Sequence, residues 1–313
     1  MTEMLAKSGF QLLLLLLVAP LISGIIKTLK ARLQTRRGPN VLQPYRDLFK
    51  LLRKGMVIPD TASWIFSAAP YIVFVTAALV GLMTPMTATD APLSLFGGVL
   101  AVVYLLALGR FFLALSGLDT GSSFGGLGSS REMTISAIAE PAMMLAIFTV
   151  ALGANSTNLS EMARSAVSQS WRFLAPSQML AFAALFIVII AETGRIPVDN
   201  PATHLELTMI HEAMILEYSG PYLALIEWGA SIKQLVLMTL LVNTFFPFGL
   251  SSDWSVSGLG LGLLFYLLKL LLLACCIVLV ETTNAKMRLF RVPELLAVAF
   301  ILGALALIST FLF

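Results

Sequence analysis

The sequence has few charged residues. Only 12% of its 313 residues are Asp, Glu, Lys or Arg, whereas 58% are hydrophobic and the mean hydropathy is +0.91. Soluble globular domains contain about 25% charged residues. The composition therefore excludes an ordinary soluble protein and predicts a polytopic membrane protein.

Motifs that bind cofactors are also scarce. Cys275 and Cys276 are adjacent within an apolar run, which favours core packing over a disulfide or a metal site. The glycines of residues 121–128 follow no predicted strand, so they do not form a dinucleotide-binding loop. His204 and His211 lack the i,i+3 or i,i+4 spacing of ligands on a metal-binding helix. We expect this chain to bind no cofactor or metal of its own.

Eight apolar segments approach the roughly 20 residues that cross a bilayer. The first lacks a small-residue cleavage site and precedes a basic cluster, so we interpret it as a retained span rather than a signal peptide. The fifth is short and is expected to extend by about a turn. The predicted spans are residues 9–29, 65–86, 93–117, 133–152, 178–192, 222–247, 258–282 and 293–313. We therefore predict an all-α fold with about eight transmembrane helices, in one integral-membrane domain over residues 1–313.

The basic residues are distributed unequally between the two sides of the membrane. Most Lys and Arg residues lie in the loops that follow the first, third, fifth and seventh spans, and the largest group is in residues 27–64. Loops rich in Lys and Arg remain in the cytoplasm. These four loops are therefore expected to be cytoplasmic and both termini to lie outside the cytoplasm.

Ionisable residues occur within or at the ends of the predicted spans. They are Arg110, Glu140, Glu192, Glu227, Lys233, Lys269 and Glu281. Each costs at least about 2.5–3.5 kcal/mol to insert into a bilayer. Pairing of Arg and Lys with Glu to hold helices together is one interpretation, with Glu192 and Glu281 at the membrane interface. The number of groups and the presence of both signs favour a proton or ion path.

The first two cytoplasmic loops contain distinct patterns. After Pro44, "YRDLFKLLRKG" alternates leucines with cations and predicts an amphipathic interfacial helix, which either docks a soluble partner or lies on lipid headgroups. In the second loop, the glycines of residues 121–128 predict a tight turn. Ser129 or Ser130 is then expected to cap the next helix, with Glu132 in its first turn.

The third cytoplasmic loop is rich in carboxylates. Prolines at 197 and 201 are expected to end the fifth span. The apolar spacing in residues 202–219 then predicts a short helix with an acidic face, closed by Gly220-Pro221. This acidic face is expected to be titratable.

Three loop motifs resemble a single family. They are "RRGPNVLQPYRDLFKLL", "AETGRIPVDNP" with "LEYSG", and "ETTNAKMRLFRVPE". The family is membrane subunit 1 of respiratory complex I, the bacterial H subunit, and it includes the matching subunit of energy-converting nickel–iron hydrogenases. The resemblance covers nearly the whole chain. Residues 110–133 are more similar to the hydrogenase branch, which includes formate hydrogenlyase subunit 4 and hydrogenase-4 component C.

One segment departs from the family pattern. The family has a run of glutamates in the third cytoplasmic loop, whereas this chain has His204 at a position where a carboxylate is expected. Glu206 is retained. The difference indicates a distinct subgroup whose electron donor the sequence does not specify.

The resemblance implies a non-catalytic membrane subunit of an oxidoreductase complex in a bacterial or archaeal cytoplasmic membrane. It would dock the peripheral redox arm and couple its chemistry to proton movement. The implied partners are a hydrogenase large subunit with a nickel–iron centre, an iron–sulfur small subunit and antiporter-like membrane subunits. The alternative is subunit 1 of a quinone-reducing NADH dehydrogenase, with Phe49, Leu52 and Trp64 near the quinone. An independent ion transporter or a passive anchor is less favoured.

The sequence offers candidate residues for the proton path and for docking of the partner subunits. The predicted proton path comprises Glu140, Glu192, Asp199, Glu206, Glu212, Glu217, Glu227, Lys233, Lys269 and Glu281. The predicted docking residues are Arg36, Arg37, Tyr45, Arg46, Asp47, Asp119, Arg131, Glu132 and Arg195.

Overall fold

The protein is mostly helical in the part that the computed structural model describes, which is residues 2–168, 175–199, 209–251 and 256–312. Its helices are α1 (Thr2–Leu33), α2 (Gln43–Leu52), α3 (Trp64–Met83), α4 (Val99–Asp119), α5 (Ser123–Ala154), α6 (Leu159–Ser168), α7 (Pro176–Glu192), α8 (His211–Met214), α9 (Gly220–Phe245), α10 (Val256–Thr283) and α11 (Val292–Leu312). The predicted all-α class is confirmed.

Seven of these helices are long and apolar enough to cross a membrane: α1, α3, α4, α5, α9, α10 and α11. The shorter apolar helix α7 corresponds to the predicted fifth span and has 17 residues. It ends at Glu192, so the expected extra turn is absent at that end. The architecture of a multi-pass membrane protein predicted from the composition is confirmed.

The membrane helices pack in an order that differs from the order of the chain. Helix α11 packs against α5 and α7, α3 lies between α4 and α9, and α1 contacts α9 and α10. Large apolar side chains on α10 and α11 remain exposed, including Leu264 and Phe311. Helices α1, α4, α7 and α10 end, and α3, α5, α9 and α11 begin, at one end of the bundle. We call it the basic end because most Lys and Arg residues lie in its loops.

Helix α2 is the amphipathic helix predicted from residues 45–55. Leu48 is buried on the face that packs against α1 and α9, whereas Phe49 and Leu52 are exposed. The Tyr45 hydroxyl donates a hydrogen bond to the Leu17 carbonyl of α1. The leucine spacing therefore predicted the helix correctly, but of Leu48, Leu51 and Leu52 only Leu48 is buried.

The glycine-rich segment before the fourth span forms helix rather than the predicted turn. Helix α5 begins at Ser123, ten residues before the predicted start, and only Gly121 adopts a positive φ in the turn itself. A Cβ on Gly125 would lie 2.3 Å from the Gly117 carbonyl oxygen of α4. The Ser129 hydroxyl bonds the Ala114 carbonyl rather than capping a helix. Glycine here allows close helix contact, which explains the incorrect prediction.

The carboxylate-rich loop is only partly described, because residues 200–208, including His204 and Glu206, lie outside the described ranges. In the described part, the predicted helix is limited to α8, which packs against α4 and α5. The Tyr218 ring stacks on Phe66 at 4.0 Å and its hydroxyl donates to the Phe66 carbonyl at 2.9 Å. Gly220, with φ +55°, ends the loop where α9 begins, as predicted.

Candidate functional site

Arg110 of α4 lies at the centre of a group of carboxylates inside the bundle. Its guanidinium donates to Glu140 at 2.9 Å and to Glu192, and it lies 3.6 Å from Glu132. Only 4% of the arginine side chain is exposed. One cation therefore neutralises charge from two different helices, α5 and α7.

A second cation reaches the same group from α9. Lys233 Nζ lies 2.9 Å from Glu192, whose side chain is 3% exposed. We call Arg110, Glu132, Glu140, Glu192 and Lys233 the Arg110 cluster. It contains three carboxylates and two cations, so it carries one excess negative charge when every group is ionised.

Ion pairs beside the cluster hold the start of the third cytoplasmic loop. Glu281 of α10 accepts from Lys30 at 2.8 Å and from Arg195 at 2.7 Å. Asp199 contacts Lys286 at 2.8 Å and accepts a hydrogen bond from the Ile210 backbone N–H. These contacts connect residues 193–199 to α1 and to the connection after α10.

The carboxylates at the helix ends are buried within the protein. The Glu281 side chain is 3% exposed, as is that of Glu192. Burial of charge is expensive unless the groups are paired and hydrogen-bonded. The two cations on each carboxylate supply that pairing, and both residues lie at or near the ends of their helices, so their predicted position at the membrane interface stays a prediction.

A cavity of about 260 Å³ lies between the Arg110 cluster and the loops of the basic end. Its charged lining comes from several elements and includes Lys27, Asp47, Glu132, Glu192, Glu212, Glu227 and Lys233. A smaller cavity of about 40 Å³ reaches Arg110 itself. Glu132, His211 and Lys233 line both cavities. The two spaces therefore meet at the cluster.

The predicted proton-path residues divide into separate groups. Those that belong to the cluster or line the larger cavity are Glu140, Glu192, Asp199, Glu212, Glu227 and Lys233. Glu281 lies in the neighbouring ion pairs, and Glu217 is exposed. Lys269 bonds Asn243 near the far end of α9, away from the cluster.

Three residues of the Arg110 cluster and its cavities were not included in the predicted proton path. Arg110 was recognised only as a charge in a span, Glu132 was assigned to docking, and His211 received no role. A span arginine needs a counterion, which was the available signal for Arg110. The spacing of Glu132 and His211 along the chain contains no corresponding signal, because their shared cavity forms only when α5 and α8 pack.

Many predicted docking side chains have partners within the chain. Asp119 accepts hydrogen bonds from the backbone N–H groups of Ser63 and Phe66 at the start of α3. Arg131 donates to the Met209 carbonyl. Tyr45, Asp47, Glu132 and Arg195 contact Leu17, Gln43, Arg110 and Glu281, respectively. Arg36, Arg37 and Arg46 are exposed at the basic end.

The described ranges contain no group of three His, Cys, Asp or Glu side chains arranged to hold a metal ion. Cys275 is partly buried and Cys276 is exposed on α10. The Arg110 cluster contains three carboxylates that share two cations.

Comparison with known proteins agrees with this architecture. A family model described as NADH dehydrogenase matches residues 7–312. The chain is 36% identical over 299 residues to formate hydrogenlyase subunit 4 of Escherichia coli (strain K12), covering 96% of each chain. It is 37% identical over 297 residues to hydrogenase-4 component C of the same organism, covering 95% of this chain and 92% of the relative.

A solved structure has the same fold. The chain is similar to a chain of the membrane-bound sulfane sulfur reductase, an archaeal respiratory membrane complex, with a TM-score of 0.85 and 18% identity. The alignment covers 98% of this chain and 99% of the other. The resemblance inferred from the loop motifs is confirmed. The chain belongs to the NADH dehydrogenase family that the matching model describes.

Proposed function

We propose that this chain is the membrane-anchoring and proton-coupling subunit of an energy-converting nickel–iron hydrogenase or formate hydrogenlyase-type complex. It forms a single membrane domain in a bacterial or archaeal cytoplasmic membrane. The basic end faces the cytoplasm and both termini lie outside it. The names and near-complete coverage of the two Escherichia coli relatives support this assignment.

The Arg110 cluster is the observation that carries the proposal. Three carboxylates share two cations in a largely buried site. The excess negative charge favours binding of one proton, because an unneutralised buried charge is costly. The Glu140 side chain is 30% exposed, against 14% for Glu132 and 3% for Glu192. Glu140 is therefore the most exposed carboxylate of the cluster, whereas Glu132 and Glu192 line the larger cavity.

The larger cavity gives the cluster a route for protons. Its volume of about 260 Å³ is well above the roughly 10–15 Å³ that one water molecule needs. Glu212 and Glu227 line it between the loops and the cluster. His211 borders both cavities. Water in the cavity would carry protons from these groups to Glu132 and Glu192, the cluster carboxylates that line it, and Arg110 connects both to Glu140.

The basic end supplies the docking surface for the redox arm. Arg36, Arg37 and Arg46 are exposed there and are available to acidic groups of a partner. The proposed partners are the hydrogenase large subunit and the iron–sulfur small subunit, which would contain the nickel–iron centre and the iron–sulfur clusters. Antiporter-like membrane subunits would contact the exposed apolar helices.

Subunit 1 of a quinone-reducing NADH dehydrogenase remains the alternative, since the family is described by that enzyme. Phe49, Leu52 and Trp64, the candidate quinone contacts, are exposed side chains and do not line the larger cavity. Their placement gives no additional support to quinone binding.

Purification of the tagged chain from gently solubilised membranes tests the proposal. Mass spectrometry should identify a nickel–iron large subunit and an iron–sulfur small subunit, whereas a flavin-containing NADH module would establish the alternative. Arg36→Glu with Arg37→Glu should release the peripheral subunits by charge repulsion. Arg164→Glu, which changes an exposed arginine at the opposite end, should leave them bound.

A further inference from the structure

Lys269 forms a second polar site about halfway along α10. Its Nζ donates to Asn243 Oδ1 at 2.8 Å and to the Phe246 carbonyl at 3.1 Å. Asn243 is 2% exposed and its amide donates to the Pro85 and Met86 carbonyls. The side chain of Lys269 is thus held against a fixed, buried amide instead of extending into the surrounding lipid.

Polar groups continue from this site into the bundle. Tyr266, which is 1% exposed, shares a 2.7 Å hydrogen bond with Thr239. A cavity of about 10 Å³ is lined by Thr84, Thr239 and Asn243, and its volume is close to that of a single water molecule. One water would therefore join the Tyr266–Thr239 pair to Asn243 and so to Lys269.

The contacts of Lys269 suit both of its protonation states. Within the described ranges, no carboxylate lies within salt-bridge distance of its Nζ. The acidic residue of the nearest described loop, Asp90, pairs with Arg164 instead. An ammonium at membrane depth costs at least about 2.5–3.5 kcal/mol. Two acceptors match the two N–H groups of a neutral amine, and the ammonium adds only one further N–H.

The position of Lys269 separates it from the Arg110 cluster. Lys233 and Asn243 are ten residues apart on α9, which corresponds to about 15 Å along the helix axis. Buried Gln234 and Thr239 lie between them on the same helix. The site thus lies toward the end of the bundle opposite the basic end. A translocated proton would leave at that opposite end.

We propose that Lys269 is a second proton-binding group, which receives a proton from water beside the Thr239–Tyr266 pair while Asn243 holds its amine in place, and which releases the proton at the end opposite the basic end. In the step, the Lys269 ammonium gives one proton to water and becomes a neutral amine. The inference rests on the proposed proton-coupling function. The competing role is structural: a fixed cation that binds the carbonyl at the end of α9.

Arginine distinguishes these roles, because it keeps the positive charge and cannot release its proton. We would measure hydrogen evolution and the proton gradient in membrane vesicles containing the whole complex, with assembly checked on native gels. Lys269→Arg and Lys269→Gln should assemble and turn over but lose most of the proton gradient formed per turnover. Thr239→Val should show the same loss if the lysine variants fail to assemble.

An assembled Lys269→Arg complex with the wild-type ratio of gradient to turnover would overturn the inference and establish the structural role. An assembled Thr239→Val complex with that ratio would overturn it where the lysine variants do not assemble. If Glu140→Gln reduced the gradient per turnover while Lys269→Arg kept the wild-type value, this inference would be refuted and the proposed function would remain intact. Wild-type vesicles that evolve hydrogen without forming a gradient would refute the proposed function and this inference with it.

Discussion

Replacement of Arg110 by leucine should destabilise the protein severely. The guanidinium is 4% exposed and faces three carboxylates, of which Glu192 is also contacted by Lys233. Arg110→Leu would leave three carboxylates with one cation, so the net charge of the cluster would change from −1 to −2 if all groups remained ionised. Removal of one partner from a buried ion pair costs about 3–5 kcal/mol.

The Arg164–Asp90 pair provides the matched control. Its side chains are 57% and 38% exposed, and exposed pairs contribute about 0–1 kcal/mol. We would compare Arg110→Leu and Arg164→Leu by titrating the protein in detergent micelles with SDS and following tryptophan fluorescence. The free energy of unfolding should fall by about 3–5 kcal/mol in the first variant and by less than about 1 kcal/mol in the second. Equal losses in the two variants would refute the assignment of Arg110 as the buried counterion.

Further predictions concern helix packing and pH. Gly125→Ala should reduce the free energy of unfolding by about 1–3 kcal/mol in the same titration, because its Cβ would overlap the Gly117 carbonyl. Gly126→Ala, whose Cβ meets only a contact at 3.9 Å, should be neutral or slightly stabilising, and a similar loss in both would contradict close packing at Gly125. Burial raises the pKa of Tyr218, so the unfolded tyrosine ionises first and stability should fall as pH rises above about 10. Tyr218→Phe should make this decline shallower in unfolding measurements across that range, and an unchanged slope would show that another group causes it.

The spans were predictable because their composition is set by the bilayer. A run of about 20 apolar residues has few alternatives to a membrane helix. Helices α9, α10 and α11 therefore begin and end within about two residues of the predicted spans. The amphipathic helix α2 was equally predictable, because Pro44 precedes a clear helical repeat of leucines.

The start of α5 was not predictable from local preference. Glycine permits both a turn and a close helix contact, and only the position of Gly117 on α4 decides between them for Gly125. The Arg110 cluster was unpredictable for the same reason, because it depends on how the helices pack. Its members are up to 123 positions apart in the chain and meet only because α4, α5, α7 and α9 pack together. Sequence identifies the charges but not which carboxylate faces which cation.

The two polar sites suggest how one membrane helix contributes to coupling. Helix α9 carries Lys233 about halfway along its length and Asn243 near the end opposite the basic end, so it contacts both sites. A change in charge at the Arg110 cluster would act on α9 through the 2.9 Å Lys233–Glu192 contact. Redox events at a docked partner would in this way alter proton affinity inside the membrane.

The most direct test of proton coupling is the proton gradient formed per turnover by complexes that carry Glu140→Gln. The substitution removes the most exposed acid of the cluster and keeps its shape, so native gels should show full assembly. We expect hydrogen evolution to continue while the gradient per turnover falls to near background, and Glu294→Gln, an exposed acid at the start of α11, to match the wild type. A wild-type gradient per turnover in assembled Glu140→Gln complexes would contradict the central claim.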